Sequence, residues 1–438
     1  METKAVSSTE VYPSLLSPAV PAAEREGQPA EVIGNAAVVA GRILLGNVAE
    51  RQWAGARRPV LLTGGTKYLE LWGRDSAASL ASLPASHRHV WRNTLEAFLH
   101  HQRADGLLPR KVGGFGNAER NLRSIVTHRG ISLPVSLVLK PEYRTVGYGG
   151  RSRPGRWIAK KILFGTAGEP KDTNPLLLLS LARYARHDPD FLARHEPAVR
   201  KALAYSERNS REGLLWQNDH EDWLDVYGRQ GHLFYTNALY FASLRELAEA
   251  FRSRDRQMAA DLVRAARRVR ERLQELWDKE RGHFISHHDG KEAHRQFATD
   301  GNVLALLTGL ATARQRESIL DNLERIVDEY GYVPIVTPGY PARLQAGLRR
   351  VFVWKYRDGR LLKPWLQALT AKAVAAEKPA LAARLLLPVA RIFVEHGCCE
   401  VMDGATGQPH EFFLTRTEKR FTVAAALYLE AAGALAQG

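Results

Sequence analysis

Cysteine is nearly absent from this chain of 438 residues, which contains only Cys398 and Cys399. Neighbouring cysteines have poor geometry for a disulfide with each other, and two are too few for a cysteine-based metal site. We therefore expect two reduced thiols packed in the interior.

Long apolar runs are also missing from the sequence. No stretch approaches the roughly 20 apolar residues that span a bilayer. The first residues, METKAVSSTEVYPS, lack the basic flank and the apolar run of a secretory signal. These observations predict a cytoplasmic protein that does not bind membranes.

Acidic residues are outnumbered, because 62 Lys and Arg face 47 Asp and Glu, which gives a net charge of +15. The densest basic segment, residues 264–281, interleaves Arg with acidic residues and with apolar residues at helical spacing. This pattern is typical of a solvated helix face. We predict no specific nucleic-acid partner.

Helical periodicity dominates what is present. Apolar residues recur every three or four positions in about a dozen segments, separated by short turns. Strand patterns are few and short, at residues 60–63, 125–127 and 283–286. The helical segments are residues 36–53, 74–83, 87–102, 174–187, 191–209, 237–252, 256–278, 300–312, 314–329, 361–376, 379–396 and 422–436.

This organisation predicts an all-α fold. The absence of alternating strands and helices argues against Rossmann and TIM architectures, and successive helix pairs indicate a closed ring or a solenoid. Residues 1–32, with four prolines, are predicted to be a flexible arm, and residues 33–438 a single domain. A Gly- and Arg-rich stretch at about 113–160 is an irregular insertion, which is usually functional or mobile.

Three clusters of residues could perform chemistry. The first is Tyr68-Leu-Glu-Leu-Trp72-Gly-Arg74-Asp75-Ser76. An aromatic ring beside charged groups is what sugar recognition uses, because the ring stacks on C–H faces while the charges bind hydroxyls. The alternative is an ordinary helix start, in which Asp75 or Ser76 accepts hydrogen bonds from free backbone N–H groups.

The second cluster, residues 216–225, surrounds Trp216 and Trp223 with acids. In a cleft, desolvation and repulsion between neighbouring acids raise a carboxyl pKa toward neutrality, as a general acid requires. The alternative is an acidic loop that only caps the helix after Gly231. The third cluster contains Glu400, which follows an apolar helix, and half-buried carboxylates are rare unless they are paired or used.

In this order, the clusters resemble the (α/α)6-toroid, or six-hairpin, glycosidases. These include the amylo-α-1,6-glucosidases of glycogen debranching, neutral invertases, trehalases and the glucosidase/mannosylglycerate-hydrolase group. Residues 221–245 look most like the debranching and invertase branch, and residues 400–407 (EVMDGATG) look like the family's base motif. The resemblance covers roughly residues 60–436. It implies an all-α (α/α)6 toroid with a few short strands and irregular loops at the mouth of the active site.

The resemblance also implies roles for individual residues. Asp225 matches the general acid and Glu400 the general base of an inverting glycoside hydrolase, with the carboxyl groups roughly 6.5–9.5 Å apart around a water. Such chemistry needs no metal or other cofactor. The residues implied in binding the sugar are Trp72, Arg74, Asp75, Asp172, Trp223, Tyr235, Asn237, Tyr356 and Trp365.

The expected activity is hydrolysis of an α-glucoside or a related small glycan in the manner of amylo-α-1,6-glucosidases. Sucrose, trehalose and an anionic glycosylglycerate are alternative substrates, and the excess of basic residues favours the anionic one. The alternative from another class is a non-catalytic toroid that binds glycans. The sequence leaves the oligomeric state open, with a homo-oligomer among the alternatives.

Overall fold

The computed structural model describes residues 28–113, 146–148, 168–344, 361–410 and 417–437. Twelve α-helices in these ranges alternate along the chain between an outer and an inner layer. The outer helices are α1 (Pro29–Gly46), α3 (Arg88–His100), α5 (Pro189–Arg208), α7 (Arg256–Gln274), α9 (Ala313–Tyr330) and α11 (Pro379–His396). The inner helices are α2 (Gly73–Ser79), α4 (Thr173–Ala185), α6 (Phe234–Phe251), α8 (Thr299–Thr308), α10 (Pro364–Val374) and α12 (Thr422–Gln437).

The inner helices form a closed ring. They pack side by side in chain order, and α12 returns to pack against α2. The first outer helix, α1, lies on α11 and α12, so that the first and the last helices of the described residues pack together. The predicted all-α (α/α)6 toroid is confirmed.

Burial follows the layer in which a helix lies. The inner helix α6 is buried at every residue from 234 to 244, because neighbours cover it on all sides. In the outer helix α7 burial recurs only every three or four positions, at Ala259, Leu262, Ala266, Val269 and Leu273. This stripe faces inward, while the basic residues predicted to be solvated occupy the rest of the helix.

The N-termini of the helices also differ between the outer and the inner layer. Three outer helices begin with a side chain that caps the backbone: Asp188 for α5, Asp255 for α7 and Thr312 for α9. The inner helices α2, α6, α8 and α10 start without a side-chain cap. Their free N–H groups and positive dipole ends therefore favour carboxylates at this end of the ring.

Short strands lie in the connections between helices. Two hairpins stand alone, and the remaining strands form small antiparallel sheets in which β3, β4 and β5 are neighbours and β12, β11, β10 and β8 follow one another. The strands are β1 (Val48–Trp53), β2 (Ala56–Leu61), β3 (Leu71–Trp72), β4 (Lys111–Val112), β5 (Val146–Gly147), β6 (Ser210–Arg211), β7 (Leu214–Leu215), β8 (His232–Leu233), β9 (Trp277–Asp278), β10 (His283–His288), β11 (Ala293–Ala298), β12 (Val336–Thr337), β13 (Leu361–Leu362) and β14 (Met402–Asp403).

The N-terminal boundary differs from the prediction. The first helix was expected at residues 36–53, but α1 begins at Pro29 and β1 occupies 48–53. Proline is favoured in the first turn, where it lacks only an N–H that would be unpaired. Residues 29–32, which were predicted to belong to a flexible arm, are therefore helical. By length and composition α1 could cross a bilayer, whereas here its buried residues pack in the ring.

Parts of the prediction fall outside the described residues. The strand expected at 125–127 lies there, and so does most of the insertion at about 113–160. A fragment of the insertion, residues 146–148, is described, and β5 within it pairs with β4 beside the first cluster. The other two predicted strands overlap β2 and β10.

Candidate active site

Eight of the eleven predicted site residues line one cavity of about 460 Å³. They come from the first turns of inner helices and from the loops that precede these helices, so the ring brings distant parts of the chain together. The eight residues are Trp72, Arg74, Asp75, Trp223, Asp225, Tyr235, Trp365 and Glu400.

Asn237 does not line the cavity, and its side chain forms hydrogen bonds with the backbone. Its amide accepts a hydrogen bond from the Leu215 N–H (2.7 Å) and donates to the carbonyl oxygens of Leu215 and Leu233. Asn237 is fully buried, so its amide has no group left to bind a sugar. Its predicted role in substrate binding is therefore corrected to a structural one.

Similar hydrogen bonds between a side-chain amide and the backbone recur around the ring. Asn174, Asn302 and Gln367 also lie in the first turns of inner helices, and their amides bond to backbone groups of the preceding connection. An amide can donate and accept at once, so it can replace two neighbouring backbone partners. This recurrence ties each connection to its inner helix.

Asp172 lies behind the cavity wall. It does not line the cavity, and its buried carboxylate pairs with Arg74 at 3.4 Å. Burial raises the pKa of Asp172, while the Arg74 guanidinium opposes this shift. The geometry gives Asp172 the role of orienting Arg74 rather than touching substrate. Tyr356 lies outside the described residues.

Glu400 is held by groups that favour its ionised form. The Tyr68 hydroxyl donates to one oxygen (3.1 Å), and the Lys363 ammonium lies 3.6 Å from the other. Burial alone raises the pKa of Glu400, but Lys363, Lys67 and the Tyr68 hydrogen bond outweigh burial, so the pKa is lower than usual. A carboxylate that stays ionised at neutral pH can accept a proton from water.

Asp225 lines the same cavity and pairs with an arginine. The Arg110 guanidinium donates to Oδ2 of Asp225 at 2.9 Å, and the Asp225 side chain remains 31% exposed. A neighbouring cation favours the ionised carboxylate. This is the opposite of what the predicted general acid needs before it gives up a proton.

Asp75 is the acid in the cavity whose pKa moves toward neutrality. Burial raises the pKa of Asp75 to about 6, with a further contribution from the negative charge of Glu400, against the opposing charge of Arg74. Asp75 therefore shares the cavity with Glu400 as a carboxyl group that takes up a proton at a higher pH than an ordinary aspartate. Both are suited to bind sugar hydroxyls, because a carboxylate accepts and a carboxylic acid also donates.

Aromatic rings form another wall of the cavity. The rings of Trp223 and Trp365 meet edge to face, with centroids 4.8 Å apart, and Tyr235 lies 6.5 Å from Trp223. The Trp223 indole N–H donates to Asp300 at 2.6 Å, and the buried Arg229 lies 3.8 Å from that carboxylate. The polar edge of Trp223 is thereby fixed, and its apolar face remains for a sugar ring.

The acids of the second cluster have separate partners. Asp222 pairs with Arg229 at 2.6 Å, and Glu221 lies 3.9 Å from Lys171. Burial raises the pKa of Glu221, while Lys171 opposes the shift. The sequence argument assumed mutual repulsion among these acids, but in the fold Glu221, Asp222 and Asp225 each lie beside a cation.

Sequence reasoning missed three residues that contact the two central carboxylates. Tyr68 and Lys363 contact Glu400, and Arg110 pairs with Asp225. Tyr68 is the first residue of the first cluster, where it was given no role, and Lys363 stands directly before α10, two residues from the predicted Trp365. Nothing in the local pattern distinguishes Arg110, because its partner is 115 residues away.

Among the described residues one group has the spacing of a metal site. Ligand atoms of Asp289, Glu292 and His294 lie within 4.8 Å of one another at the β10–β11 turn. This group does not line the cavity, and Arg343 pairs with Glu292. This group is therefore separate from the cavity that holds Asp225 and Glu400.

The architecture belongs to the (α/α)6 toroids, a class that includes solved glycoside hydrolases. A scan against protein-family models finds no match, and a search of the curated proteins finds none either. The similarity is therefore one of structure.

Two kinds of solved protein illustrate it. The GH63 mannosylglycerate hydrolase from Thermus thermophilus, in complex with Tris and D-glycerate, has a TM-score of 0.59 at 16% identity over 90% of this chain and 99% of that one. A rhamnosidase from Klebsiella oxytoca with rhamnose bound has a TM-score of 0.58 at 16% identity over 95% of this chain and 65% of that one. A GH78 rhamnosidase of Bacillus sp. GL1 has 0.56 at 15%, over 94% and 36%. The TM-scores show that the fold is shared, and at these identities the similarity shows the fold alone.

Proposed function

We propose that the protein is an inverting glycoside hydrolase in which Asp225 is the general acid and Glu400 the general base. The observation that supports this proposal is that both carboxylates, from segments far apart in sequence, line a single cavity together with Trp72, Trp223 and Trp365. The similar solved structures include enzymes whose names describe glycoside hydrolysis.

In the proposed reaction, a sugar ring lies against the tryptophans while Arg74 and Asp75 hold its hydroxyls. Protonated Asp225 gives its proton to the glycosidic oxygen, and the bond from the anomeric carbon to that oxygen breaks. Glu400 takes a proton from the water that attacks the anomeric carbon from the opposite face. The products are the free sugar with inverted configuration and the alcohol of the leaving group.

The ion pair between Arg110 and Asp225 has to loosen before Asp225 can carry a proton. A substrate with a carboxylate on its leaving group supplies a competing partner for Arg110, and loss of the ion pair removes the preference for ionised Asp225. This favours a small anionic glycoside, such as a glycosylglycerate, over a branched glucan. The α-glucoside of the debranching type is retained as the second candidate.

The test of the chemistry is a pair of substitutions. Asp225→Asn and Glu400→Gln are each expected to lower kcat by about 10²-fold to 10⁴-fold with unchanged thermal unfolding. Anomeric analysis of the product by NMR tests inversion. Asp219→Asn is the matched control, because Asp219 is an exposed acid of the same cluster that does not line the cavity.

Activity that survives either substitution would rule out the assigned roles, and a product with retained configuration would rule out single displacement. The substrate class is tested with a panel of glucosylglycerate, mannosylglycerate, trehalose, sucrose and isomaltose. Arg110→Gln is expected to lower the ratio of kcat/KM for the glycerates to kcat/KM for the neutral sugars. An unchanged ratio would favour a neutral substrate.

A further inference from the structure

The cavity continues far beyond the carboxylates, along the axis of the ring. Each inner helix contributes residues spaced by three or four positions, which places them on one face of the helix. In α4, for example, Leu176, Leu179 and Arg183 line it, and in α6 Tyr235, Leu239 and Ala242. From Leu176 to Arg183 the rise of a helix is about 10 Å. We name the part beyond the first helical turns the axial chamber.

The walls of the axial chamber are apolar. Ala77, Ala78, Ala242, Leu369 and Leu427 contribute to them. Each of the two hydroxyl side chains there already makes one hydrogen bond within the protein, because Ser180 accepts from the Trp91 indole (3.0 Å) and Thr308 donates to a backbone carbonyl (2.7 Å). A sugar in this chamber would leave hydroxyls without partners, which is costly.

Small residues keep the axial chamber open. Protein interiors are normally filled, and an unfilled volume loses dispersion contacts and transfer free energy. Ala77, Ala78 and Ala242 occupy positions on inner helices where larger apolar residues would close the axis. The open volume is therefore destabilising unless a ligand of matching shape and polarity occupies it.

The far end of the axial chamber is positively charged and open to solvent. Arg183, Lys372 and Glu430 line it, and Lys372 pairs with Glu430 at 2.7 Å. No carboxylate of the described residues pairs with Arg183. Leu307, a lining residue at the end of α8, is 37% exposed. One positive charge at an apolar rim is complementary to an anionic end group.

We propose that the axial chamber binds an unbranched aliphatic chain that ends in a carboxylate, with the chain between the inner helices and the carboxylate on Arg183. This inference does not depend on glycoside hydrolysis, because it rests on residues other than Asp225 and Glu400. The chain can arrive as a free fatty acid or as the leaving group of a glycoside.

The test is calorimetric titration of the full-length protein with sodium decanoate, with sodium acetate as the short-chain comparison. Binding of decanoate and not of acetate is expected. Ala242→Leu fills the chamber and is expected to weaken decanoate binding about tenfold or more. Arg183→Gln removes the cation and is expected to weaken it about tenfold. Ala78→Leu, on a different helix, repeats the filling test if Ala242→Leu does not fold.

Arg186→Gln is the matched control for charge, since Arg186 is the C-cap residue of the same helix but is exposed and absent from the lining. Ala313→Leu is the exposed control for size. Failure of the wild type to bind decanoate overturns the proposal, and so does equal affinity in the filled variants. A 9-carboxynonyl glucoside cleaved faster than methyl glucoside, with the gain lost in Ala242→Leu, identifies the chain as the leaving group. Equal rates identify a separate fatty-acid ligand.

Titration of Asp225→Asn keeps the two proposals apart. This variant is expected to bind decanoate as the wild type does, even though it is expected to be inactive. An inactive wild type that binds decanoate would contradict only the proposed function. An active wild type that does not bind it would contradict only the axial chamber.

Discussion

Glu400 shows how a few neighbouring side chains prepare a residue for proton transfer. Burial alone would favour its neutral form, which could not act as a base. The ammonium groups of Lys363 and Lys67 and the hydroxyl of Tyr68 reverse this preference and keep the pKa below its usual value. The protonation state of Glu400 is therefore set by groups from two loops that are separated along the chain and adjacent in the fold.

We predict that Lys363→Met shifts the acidic limb of the pH–activity profile to higher pH. Removing the cation raises the pKa of Glu400, so Glu400 is protonated, and inactive as a base, at a higher pH than in the wild type. The measurement is kcat/KM against pH. Lys378→Met, which removes a surface lysine paired with Asp321 and Glu324, is the control. An unshifted limb in Lys363→Met would contradict the role of Glu400 as the base.

The limits of sequence reasoning at this scale follow from the nature of side-chain pairing. Tryptophans and acids could be recognised because such residues are unusual next to each other. Arg110 could not be recognised, since one arginine among many basic residues becomes distinctive only when folding places it 2.9 Å from Asp225. Asn237 was assigned to the substrate, although its amide is used by the backbone.

At the scale of elements, the loop that carries Tyr68 is anchored by one buried acid. Glu418, which is fully buried, accepts hydrogen bonds from backbone N–H groups of Thr66, Lys67 and Arg420 and from the Thr66 hydroxyl. Gly64 allows this approach, because a Cβ there would lie 2.9 Å from a Glu418 oxygen. The orientation of Tyr68 toward Glu400 therefore depends on Glu418.

We predict that Glu418→Gln lowers the free energy of unfolding by about 1–3 kcal/mol, because the amide N–H₂ faces N–H donors and leaves one of them unpaired. We also expect a lower kcat, since the loop that positions Tyr68 loosens. Chemical denaturation and steady-state kinetics measure the two effects. Glu249→Gln, a surface acid paired with Arg252, should change neither. Wild-type stability in Glu418→Gln would contradict the anchoring role.

Helices were easier to predict than their connections. The apolar spacing located α4 to α12 within a few residues, because inner and outer helices alike bury a periodic face. The two-residue strands β3, β4 and β13 had no pattern of their own. Their pairing depends on partners such as Val112 and Met402, which lie far away in sequence, so only the assembled ring defines them.

At the scale of the whole molecule, stability depends on closing the ring. Helix α1 joins the chain's beginning to α11 and α12 near its end, and the Asn47 amide donates to Thr422 and to the Arg420 carbonyl. Contacts between residues so distant along the chain form only after the intervening elements are in place. We therefore expect the ring to unfold in one cooperative transition.

We predict that Leu44→Ala, in α1, lowers the free energy of unfolding by about 2–5 kcal/mol, because Leu44 is 1% exposed and its loss leaves a cavity at the closure. The single transition should move as a whole in every spectroscopic probe. Val38→Ala, on the same helix at 53% exposure, is expected to change stability by less than about 0.5 kcal/mol. Equal effects of the two substitutions would mean that α1 contributes little to closure.

The sequence by itself determined the all-helical character, the order of the helices and the three clusters that hold Trp72, Asp225 and Glu400. These features depend on local periodicity and on unusual neighbours, which a linear pattern contains. Only the tertiary structure decided that Arg110, Lys363 and Tyr68 contact the two carboxylates, that Asn237 serves the backbone and that the ring encloses an apolar axis. Pairing, burial and enclosed volume depend on distances between remote residues, and these distances exist only after the ring has closed.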